Sequence, residues 1–372
     1  MKKIFIKTLG CKVNQCESEA IRNVLVESNR GFAAVDDGMA DVVIVNTCTV
    51  TRKAAMQSRQ AVRQAIRANP GARIVVTGCH AQTAPAELAA IEGVDLIVGN
   101  RDKHLIPQQI NSALPGQAGD DASAECTSIA DIGHFQSLPG IAHGGRTRPF
   151  LKIQDGCNAF CTYCIVPHAR GRSRSLPMDQ VLRQIEQLGQ LGYREMVLTG
   201  IHIGCYGHDL TPAIGLIDLL GRIQHAGAIH RVRVSSIEPV ELTDAIISLA
   251  ASGEDTIGRL CPHFHIPLQS GDDGILQRMH RPYSRDYFKD LVQRIIGRLP
   301  DAAIGVDTLI GFPGETDAAF ENTYALIQSL PVAYLHVFPF SAREGTPAFS
   351  FKDQVPAQVI KRRCARMRRS FD

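Results

Sequence analysis

Short β-branched runs alternate with longer amphipathic stretches along most of the chain. In residues 2–110 the runs are KIFIKTLG, DVVIVNTC, ARIVVTGC and DLIVGN, and helix-like segments such as TRKAAMQSRQAVRQAIRANP separate them. This alternation is typical of a parallel sheet joined by crossover helices. We therefore predict an α/β protein whose amino-terminal domain, residues 1–112, is a flavodoxin-like parallel sheet.

The alternation of strand-like and helix-like segments is interrupted once, between residues 113 and 145. Residues 113–145 lose periodicity and are rich in Gly, Ala, Ser and Asp, so we interpret them as a linker. Strand-like runs follow at RPFLKIQDG, EMVLTG, RVRVSSIEP, HFHIPLQSG, AAIGVDTLIGFPGET and AYLHVFPFSA. They predict a partial (β/α)6 barrel over residues 146–352, with its site at the carboxyl ends of the strands. A basic helix is expected over residues 353–372.

A cysteine ends or directly follows three of the amino-terminal runs: Cys11, Cys48 and Cys79. Because the carboxyl ends of strands in such a sheet line one crevice, these thiols are expected to converge although they are distant in sequence. The alternative is that they are buried free cysteines, which are common small core residues. Their position at strand exits, and not within strands, favours convergence.

A second group of cysteines is local. Cys157, Cys161 and Cys164 lie in DGCNAFCTYCIVPHARGR with the spacing C-x3-C-x2-C. Three thiolates on an iron–sulfur cubane leave one iron open to a small ligand. With His168 the same run also has the ligand count of a closed zinc site, whereas a ferredoxin-type site would need a fourth nearby cysteine followed by proline. Disulfides are disfavoured because the opening MKKIFIKTLGCK has no secretory signal.

Composition excludes some functions. With 372 residues and 44% hydrophobic side chains, the chain can bury a large core. No apolar stretch reaches the ~18 residues that a membrane span requires, so we expect no membrane role and a cytoplasmic location. The net charge of +3 says little about partners. Eleven cysteines in a chain of this kind indicate metal or redox chemistry.

A series of motifs carries a family resemblance. TLGCKVNQ, VNTCTVT, TGCHAQ, DGCNAFCTYCIVPHARGRSRS, LTGIHIGCYG, SSIEP, HIPLQSGDD and DTLIGFPGETD, in this order, resemble the radical S-adenosylmethionine (SAM) methylthiotransferases. The resemblance implies two [4Fe–4S] clusters, one on Cys157, Cys161 and Cys164 that cleaves SAM, and one on the three amino-terminal cysteines. One SAM would methylate a sulfur carried on the second cluster, and another would yield the radical that removes hydrogen from the substrate. No residue is assigned an acid–base or nucleophilic role.

The resemblance also assigns binding residues. Seven residues at strand ends are expected to border SAM: Thr199, Gly200, Ser236, Glu238, Gln269, Gly311 and Gly314. For the glycines the alternative is ordinary tight turns. Three arginines beyond the cysteine loop, Arg170, Arg172 and Arg174, are expected to contact the phosphates of a tRNA anticodon stem-loop.

The substrate expectation rests on two motifs. TLGCKVNQ and LTGIHIGCYG resemble the branch that converts N6-threonylcarbamoyladenosine at position 37 of tRNA to its 2-methylthio derivative. Isopentenyladenosine-37 of tRNA and an aspartate of a ribosomal protein are the alternatives within the family, and a structural metal or electron-transfer protein is the alternative outside it. A low-potential donor such as flavodoxin or ferredoxin would supply electrons. Cys16 and His168 depart from that branch. The resemblance implies a carboxyl-terminal RNA-binding (TRAM) module, and we expect that the sequence either is truncated before this module or lacks it.

Overall fold

The computed structural model describes residues 1–27, 31–36, 39–112, 123–130, 132–138, 146–252 and 256–369. They form two compact units, Met1–Asn158 with Ile165–Leu176, and Ala159–Cys164 with Pro177–Asp372. Most of the predicted linker lies outside the described residues. The predicted domain boundaries at residues 112, 146 and 352 stay predictions.

The first unit is built on β–α repeats. Its strands are β1 Lys2–Thr8, β2 Phe32–Ala34, β3 Val42–Thr47, β4 Arg73–Gly78, β5 Leu96–Val98, β6 Ser123–Glu125, β7 Phe150–Lys152, β8 Gln154–Asp155 and β9 Arg174–Ser175. Its helices are α1 Lys12–Glu27, α2 Arg52–Ala68, α3 Cys79–Thr83, α4 Pro85–Ala89, α5 Ile106–Ser112 and α6 Val166–Arg170. A single 3-10 turn spans Lys103–Leu105 before α5.

Six of these strands form a parallel sheet in the order β2-β1-β3-β4-β5-β6. The run VVIVNT of β3 is buried throughout, as expected for a central strand covered on both faces. One core packs Val62 of α2 against Val43 of β3, and another packs Ile21 of α1 against Ile44. The strand order contains the flavodoxin-like order 2-1-3-4-5, in which ligands bind at the switch point between β1 and β3.

The second unit continues the alternation. Its strands are β10 Glu195–Thr199, β11 Arg231–Val234, β12 Arg259–Leu260, β13 His263–Gln269, β14 Ala303–Ile310 and β15 Tyr334–Pro339. Its helices are α7 Met178–Gln190, α8 Leu216–Ala226, α9 Asp244–Ser252, α10 Asp273–Arg278, α11 Arg285–Arg298, α12 Asp317–Gln328 and α13 Ala357–Arg368, with 3-10 turns at Ile203–Cys205 and Pro347–Ser350.

The strands of the second unit pair in parallel as β12-β11-β10 and β13-β14-β15. The mixed α/β fold with a parallel amino-terminal sheet is thus confirmed. The two-residue strand β12 was not predicted, because a run of two residues carries no periodic signal. The predicted basic helix is α13, which packs through Cys364 and Met367 onto Val337 of β15. Within the described residues, no helix is both long and apolar enough to span a bilayer.

Candidate functional site

Cys11, Cys48 and Cys79 follow three neighbouring strands of the first sheet. Cys48 comes directly after β3 and Cys79 directly after β4, and the preceding residues Thr47 and Gly78 are register partners. Cys11 lies three residues beyond the end of β1, just before α1 begins. The predicted placement at one edge of the sheet is therefore observed. That these thiols bind metal stays a prediction.

A glycine in the left-handed region precedes two of these cysteines. The φ angles are +97° at Gly10 and +99° at Gly78. A Cβ on Gly10 would lie 2.9 Å from Sγ of Cys48, and one on Gly78 would lie 2.4 Å from the carbonyl oxygen of Thr47. Each glycine thus allows the chain to turn against the neighbouring strand end, which a side chain would prevent.

Asn14 ties two of the strand ends together. Its Nδ2 donates to the carbonyl oxygen of Leu9 at 2.8 Å and to that of Thr47 at 3.0 Å. Its Oδ1 accepts a 2.6 Å hydrogen bond from Nη2 of Arg170. Because Asn14 is 1% exposed, this amide is a fixed internal bridge next to the cysteines.

Arg170 is the centre of a buried ion network. Its Nη1 lies 2.8 Å from Oε1 of Glu17 and 3.1 Å from Oδ1 of Asp155. Lys103 and Lys152 contact Glu17 at 2.5 Å and 2.6 Å. Burial alone would raise the pKa of Glu17, but these three cations hold it well below the usual value of 4.5. The carboxylates are therefore ionised inside the unit.

This network corrects one prediction. Arg170 and Arg174 are 1% and 3% exposed, and Arg174 donates to the carbonyl oxygens of Arg170 and Arg172. Buried guanidinium groups that are used in this way do not face RNA phosphate. Of the three arginines, Arg172 is exposed, and the RNA contact is retained as a prediction for Arg172 alone.

The donor set around these cysteines fits a cationic cluster. Burial, with the thiols of Cys79 and Cys11 nearby, raises the pKa of Cys48 to about 11. Thiolates that are clustered in this way require a strong positive charge, which iron supplies. Nδ2 of Asn100 lies 3.6 Å from Sγ of Cys79, and the buried Nε of Arg170 has no hydrogen-bond partner among the described residues. Both N–H groups are potential donors to a bound cluster.

The C-x3-C-x2-C loop is anchored within each unit separately. In the first unit, the amide of Cys157 donates to the carbonyl oxygen of Gly171 at 3.0 Å, and Gly156 has a φ of +72°. In the second unit, Thr162 donates its amide to Met279 and its hydroxyl to the carbonyl oxygen of Arg278. Backbone hydrogen bonds therefore fix the residues beside the cysteines.

Arg281 is a site residue that the sequence analysis missed. Its Nη1 lies 3.3 Å from Sγ of Cys161, its Nη2 pairs with Glu238, and its Nε donates to the hydroxyl of Tyr283 at 2.9 Å. The Tyr283 hydroxyl in turn lies 2.9 Å from the carbonyl oxygen of Pro267. The motif MHRPYSR carries no spacing signal for this role, because the contacts join distant loops.

The residues predicted to border SAM lie at strand ends, as expected. Thr199 ends β10 and Gln269 ends β13, where it has a φ of +67°. Ser236 is exposed beyond β11, and Glu238 is held by Arg281. Gly200 follows β10, and Gly311 and Gly314 follow β14.

The glycines after β14 have a structural explanation that needs no ligand. A Cβ on Gly311 would lie 2.3 Å from Cγ1 of Ile360, and one on Gly314 would lie 2.7 Å from Oδ2 of Asp353. The chain that leads into and forms α13 therefore occupies the space beside them. SAM contact at these two positions stays a prediction. The presence of glycine there is no longer an argument for it, because packing against the chain around α13 already requires glycine.

A ladder of polar rings lies on the face of β13–β15 opposite α13. Oδ1 of Asp307 contacts Nε2 of His265 at 2.8 Å and Nδ1 of His336 at 3.1 Å. The hydroxyl of Tyr334 bridges Nδ1 of His265 and Nε2 of His263, at 3.1 Å and 3.0 Å. The side chain of His336 is 54% exposed. The sequence analysis did not single out these residues, although they alternate along neighbouring strands.

Two family models match the chain. Residues 3–99 match "Uncharacterized protein family UPF0004", and residues 151–327 match the radical SAM superfamily. The matches cover the amino-terminal sheet except β6, and the second series of strands except β15.

Curated relatives span nearly the whole chain. The chain is 41% identical to the threonylcarbamoyladenosine tRNA methylthiotransferase MtaB of Bacillus subtilis, over 99% of this chain and 80% of that protein. It is 34% identical to the tRNA-2-methylthio-N(6)-dimethylallyladenosine synthase of Clostridium botulinum, over 98% and 80%. Among solved structures, the radical SAM methyltransferase TsrM of Kitasatospora setae shares the fold, with a TM-score of 0.65, 14% identity, and coverage of 93% of this chain and 77% of that one.

Proposed function

The chain belongs to the tRNA methylthiotransferase family of radical SAM proteins, and on that premise we propose that it converts N6-threonylcarbamoyladenosine-37 of tRNA to 2-methylthio-N6-threonylcarbamoyladenosine. The observation that carries the proposal is the pair of three-cysteine sets. One set follows β1, β3 and β4 of the parallel sheet, and the other has the C-x3-C-x2-C spacing. The proposed substrate comes from the relative with 41% identity.

The cofactors of this family are two [4Fe–4S] clusters and SAM. When bound, they supply the radical and sulfur chemistry that an aromatic C–H bond requires. We propose that Cys11, Cys48 and Cys79 hold one cluster and that Cys157, Cys161 and Cys164 hold the other. Asn14 and Arg170 would fix the first set, because Asn14 joins the exits of β1 and β3 and is itself held by the buried guanidinium of Arg170.

Arg281 has the corresponding role for the second set. Its guanidinium contacts Sγ of Cys161 and the carboxylate of Glu238. It would offset the negative charge of the thiolates and orient Glu238 for the amino group of SAM. Thr199, Gly200, Ser236 and Gln269 would complete the SAM cleft, since they lie at carboxyl ends of the strands.

The base of the substrate would enter among the rings on β13–β15. Unstacked bases bind to proteins by stacking on aromatic side chains and by hydrogen bonds to their edges. His336 and Phe338 present exposed rings on β15, and Asp307 lies beside them. Arg172 would contact a phosphate of the anticodon stem-loop, and a flavodoxin or ferredoxin would supply electrons. A tRNA substrate would place this activity in the cytoplasm.

The substrate is tested with anaerobically reconstituted protein, SAM, a reductant and tRNA that lacks methylthio groups. One tRNA carries threonylcarbamoyladenosine and another carries isopentenyladenosine, which the Clostridium relative suggests as the second candidate. Nucleoside mass spectrometry should find the methylthio group on the first only. Modification of the second tRNA only, or of a ribosomal protein only, would overturn the proposed substrate.

Cysteine variants test the site within the same assay. Cys48→Ala and Cys161→Ala are each expected to abolish methylthiolation. The matched controls are Cys16→Ala and Cys261→Ala, which change buried cysteines of the first and second units outside the proposed sets. Full activity of Cys48→Ala or Cys161→Ala would contradict the assignment of ligands.

A further inference from the structure

Three potential metal ligands meet at a point that neither cysteine set includes. His202 and Cys205 lie in the turn after β10, and Glu241 lies in the segment after β11. Nε2 of His202 is 2.7 Å from Oε1 of Glu241, and Sγ of Cys205 is 3.2 Å from the same oxygen. Sγ of Cys205 is also 3.8 Å from Nε2 of His202. The three donor atoms therefore form a closed triangle.

The triangle does not have the order of a nucleophilic triad. In a triad the imidazole lies between the nucleophile and the carboxylate, so the carboxylate does not contact the nucleophile. Here one carboxylate oxygen of Glu241 contacts both the thiol and the imidazole. A shared cation between the three donors accounts for the arrangement better.

The carboxylate of Glu241 is built into its position. Its Oε2 is buried and has no hydrogen-bond partner among the described residues. A Cβ on Gly204 would lie 1.8 Å from that oxygen, so Glu241 reaches the site only because residue 204 has no side chain. The side chains of His202 and Glu241 are 13% and 17% exposed. A small ion has access to this site from solvent, whereas the ligands are largely shielded.

The chemistry of the three donors fits zinc. Zinc bonds of roughly 2.0–2.3 Å in a tetrahedron place donor atoms about 3.3–3.6 Å apart. The observed separations of 2.7, 3.2 and 3.8 Å fall on both sides of that range, so the side chains of His202, Cys205 and Glu241 must shift slightly to accept the ion. Zinc accepts sulfur, imidazole nitrogen and carboxylate oxygen together, and sites with three protein ligands keep a fourth position for water.

We propose that His202, Cys205 and Glu241 bind one Zn²⁺ ion with an open fourth position, separate from the iron–sulfur clusters. The ion joins the turn after β10 to the segment after β11. The amide of Glu241 donates to the carbonyl oxygen of Glu238, and Glu238 pairs with Arg281. Zinc at this point therefore restrains the segment that presents Glu238. The proposal does not depend on the tRNA substrate.

The test uses the holoenzyme with both clusters loaded under anaerobic conditions. It is incubated with one equivalent of zinc, and free metal is removed by gel filtration. Metal analysis should find one zinc per chain with unchanged iron. Zinc K-edge absorption should show one sulfur at about 2.3 Å and nitrogen or oxygen ligands at about 2.0–2.2 Å. No retained zinc, or zinc with three sulfur ligands from a vacant cluster site, would overturn the proposal.

Variants separate the site from adventitious binding. Substitution of a residue that only hydrogen-bonds to a metal ligand already lowers metal affinity by about 10–100-fold. Cys205→Ser and Glu241→Gln change ligands directly, so each should weaken zinc retention by more than that. Cys261→Ser is the matched control, because Cys261 is a buried cysteine of the same unit outside the triangle. The iron content of each variant reports whether it has folded. Equal zinc retention by Cys205→Ser and the control would refute the assignment.

Discussion

Asn14 and Arg170 form a buried hydrogen bond of 2.6 Å between a carboxamide oxygen and a guanidinium nitrogen. The same amide holds the carbonyl groups of Leu9 and Thr47, which precede Cys11 and Cys48 at the exits of β1 and β3. The geometry of two predicted cluster ligands is thus coupled to the guanidinium of Arg170, which lies 156 residues beyond Asn14 in sequence.

Arg170→Met is expected to destabilise the first unit. It leaves Glu17 and Asp155 without their shared guanidinium, and breaking a buried ion pair in this way costs about 3–5 kcal/mol. Urea unfolding should show a lower midpoint, and reconstituted protein should hold about four irons in place of about eight. Arg172→Met is the control, since Arg172 is exposed. Equal midpoints for the two variants would contradict this account of Arg170.

Gly78→Ala is expected to disrupt the exit of β4. With φ +99° and ψ −168°, the backbone of Gly78 lies in a region that is essentially restricted to glycine and costs alanine about 1–3 kcal/mol. The clash with the backbone of Thr47 adds about 1–3 kcal/mol of overpacking. Gly71→Ala is the control, because Gly71 also has a positive φ, +79°, but open space around it. Gly78→Ala should lower the free energy of unfolding, measured in urea, by more than Gly71→Ala does. Equal losses in the two variants would contradict a special constraint at the exit of β4.

Arg281→Lys keeps the positive charge but cannot reach Cys161, Glu238 and Tyr283 at once. We expect a change in the electron paramagnetic resonance signal of the reduced SAM-binding cluster and a loss of SAM cleavage of at least about tenfold, or about 1.4 kcal/mol. Arg294→Lys is the control, because Arg294 pairs with Asp244 on the surface. An unchanged signal in Arg281→Lys would rule out its proposed role beside Cys161.

Acid should destabilise the first unit. The pKa values of Glu17 and Asp155 lie below their usual values of 4.5 and 3.8, because cations surround both carboxylates. A carboxylate whose pKa is lowered by folding contributes stability above its unfolded pKa, and that stability is lost as the pH falls through the folded pKa. Stability should therefore decrease below about pH 4.5. In Glu17→Gln the decrease measured by urea unfolding should be smaller, and an identical pH profile would contradict the network's role.

Arg172→Ala is expected to weaken tRNA binding uniformly across tRNA sequences. The loss of one phosphate contact lowers the slope of log affinity against log salt by about one. Arg183→Ala is the control, since Arg183 is an exposed arginine that pairs with Asp179 on α7. Fluorescence anisotropy over a range of salt concentrations measures both. If both variants keep the slope of the parent protein, Arg172 does not contact the RNA backbone.

Strand periodicity predicted most of the fold. Runs such as DVVIVNTC specify buried parallel strands through local chemistry alone, and the positions of Cys48 and Cys79 at strand exits follow from them. The role of Arg170 was not predictable, because an arginine beside a cysteine loop has the same sequence signature whether it is exposed or buried. Its burial depends on Glu17 and Asp155, which lie in other elements.

Long-range contacts set the other limits of the sequence analysis. Arg281 meets Cys161 across 120 positions, and Cys205 meets Glu241 across 36. Gly311 looked like a residue that makes room for a ligand, but Ile360 of α13 fills that room. Spacing rules describe neighbours within one element and do not describe such pairs.

The amide of Asn14 has a consequence for the apoprotein. The carbonyl groups of Leu9 and Thr47 are held by hydrogen bonds between protein atoms alone. The exits of β1 and β3 therefore keep their shape before any metal binds. In zinc fingers, by contrast, the metal must fold the chain that binds it. Preorganisation of this kind reduces the entropy lost on cluster uptake, so that loading and loss of the cluster can recur on one folded scaffold.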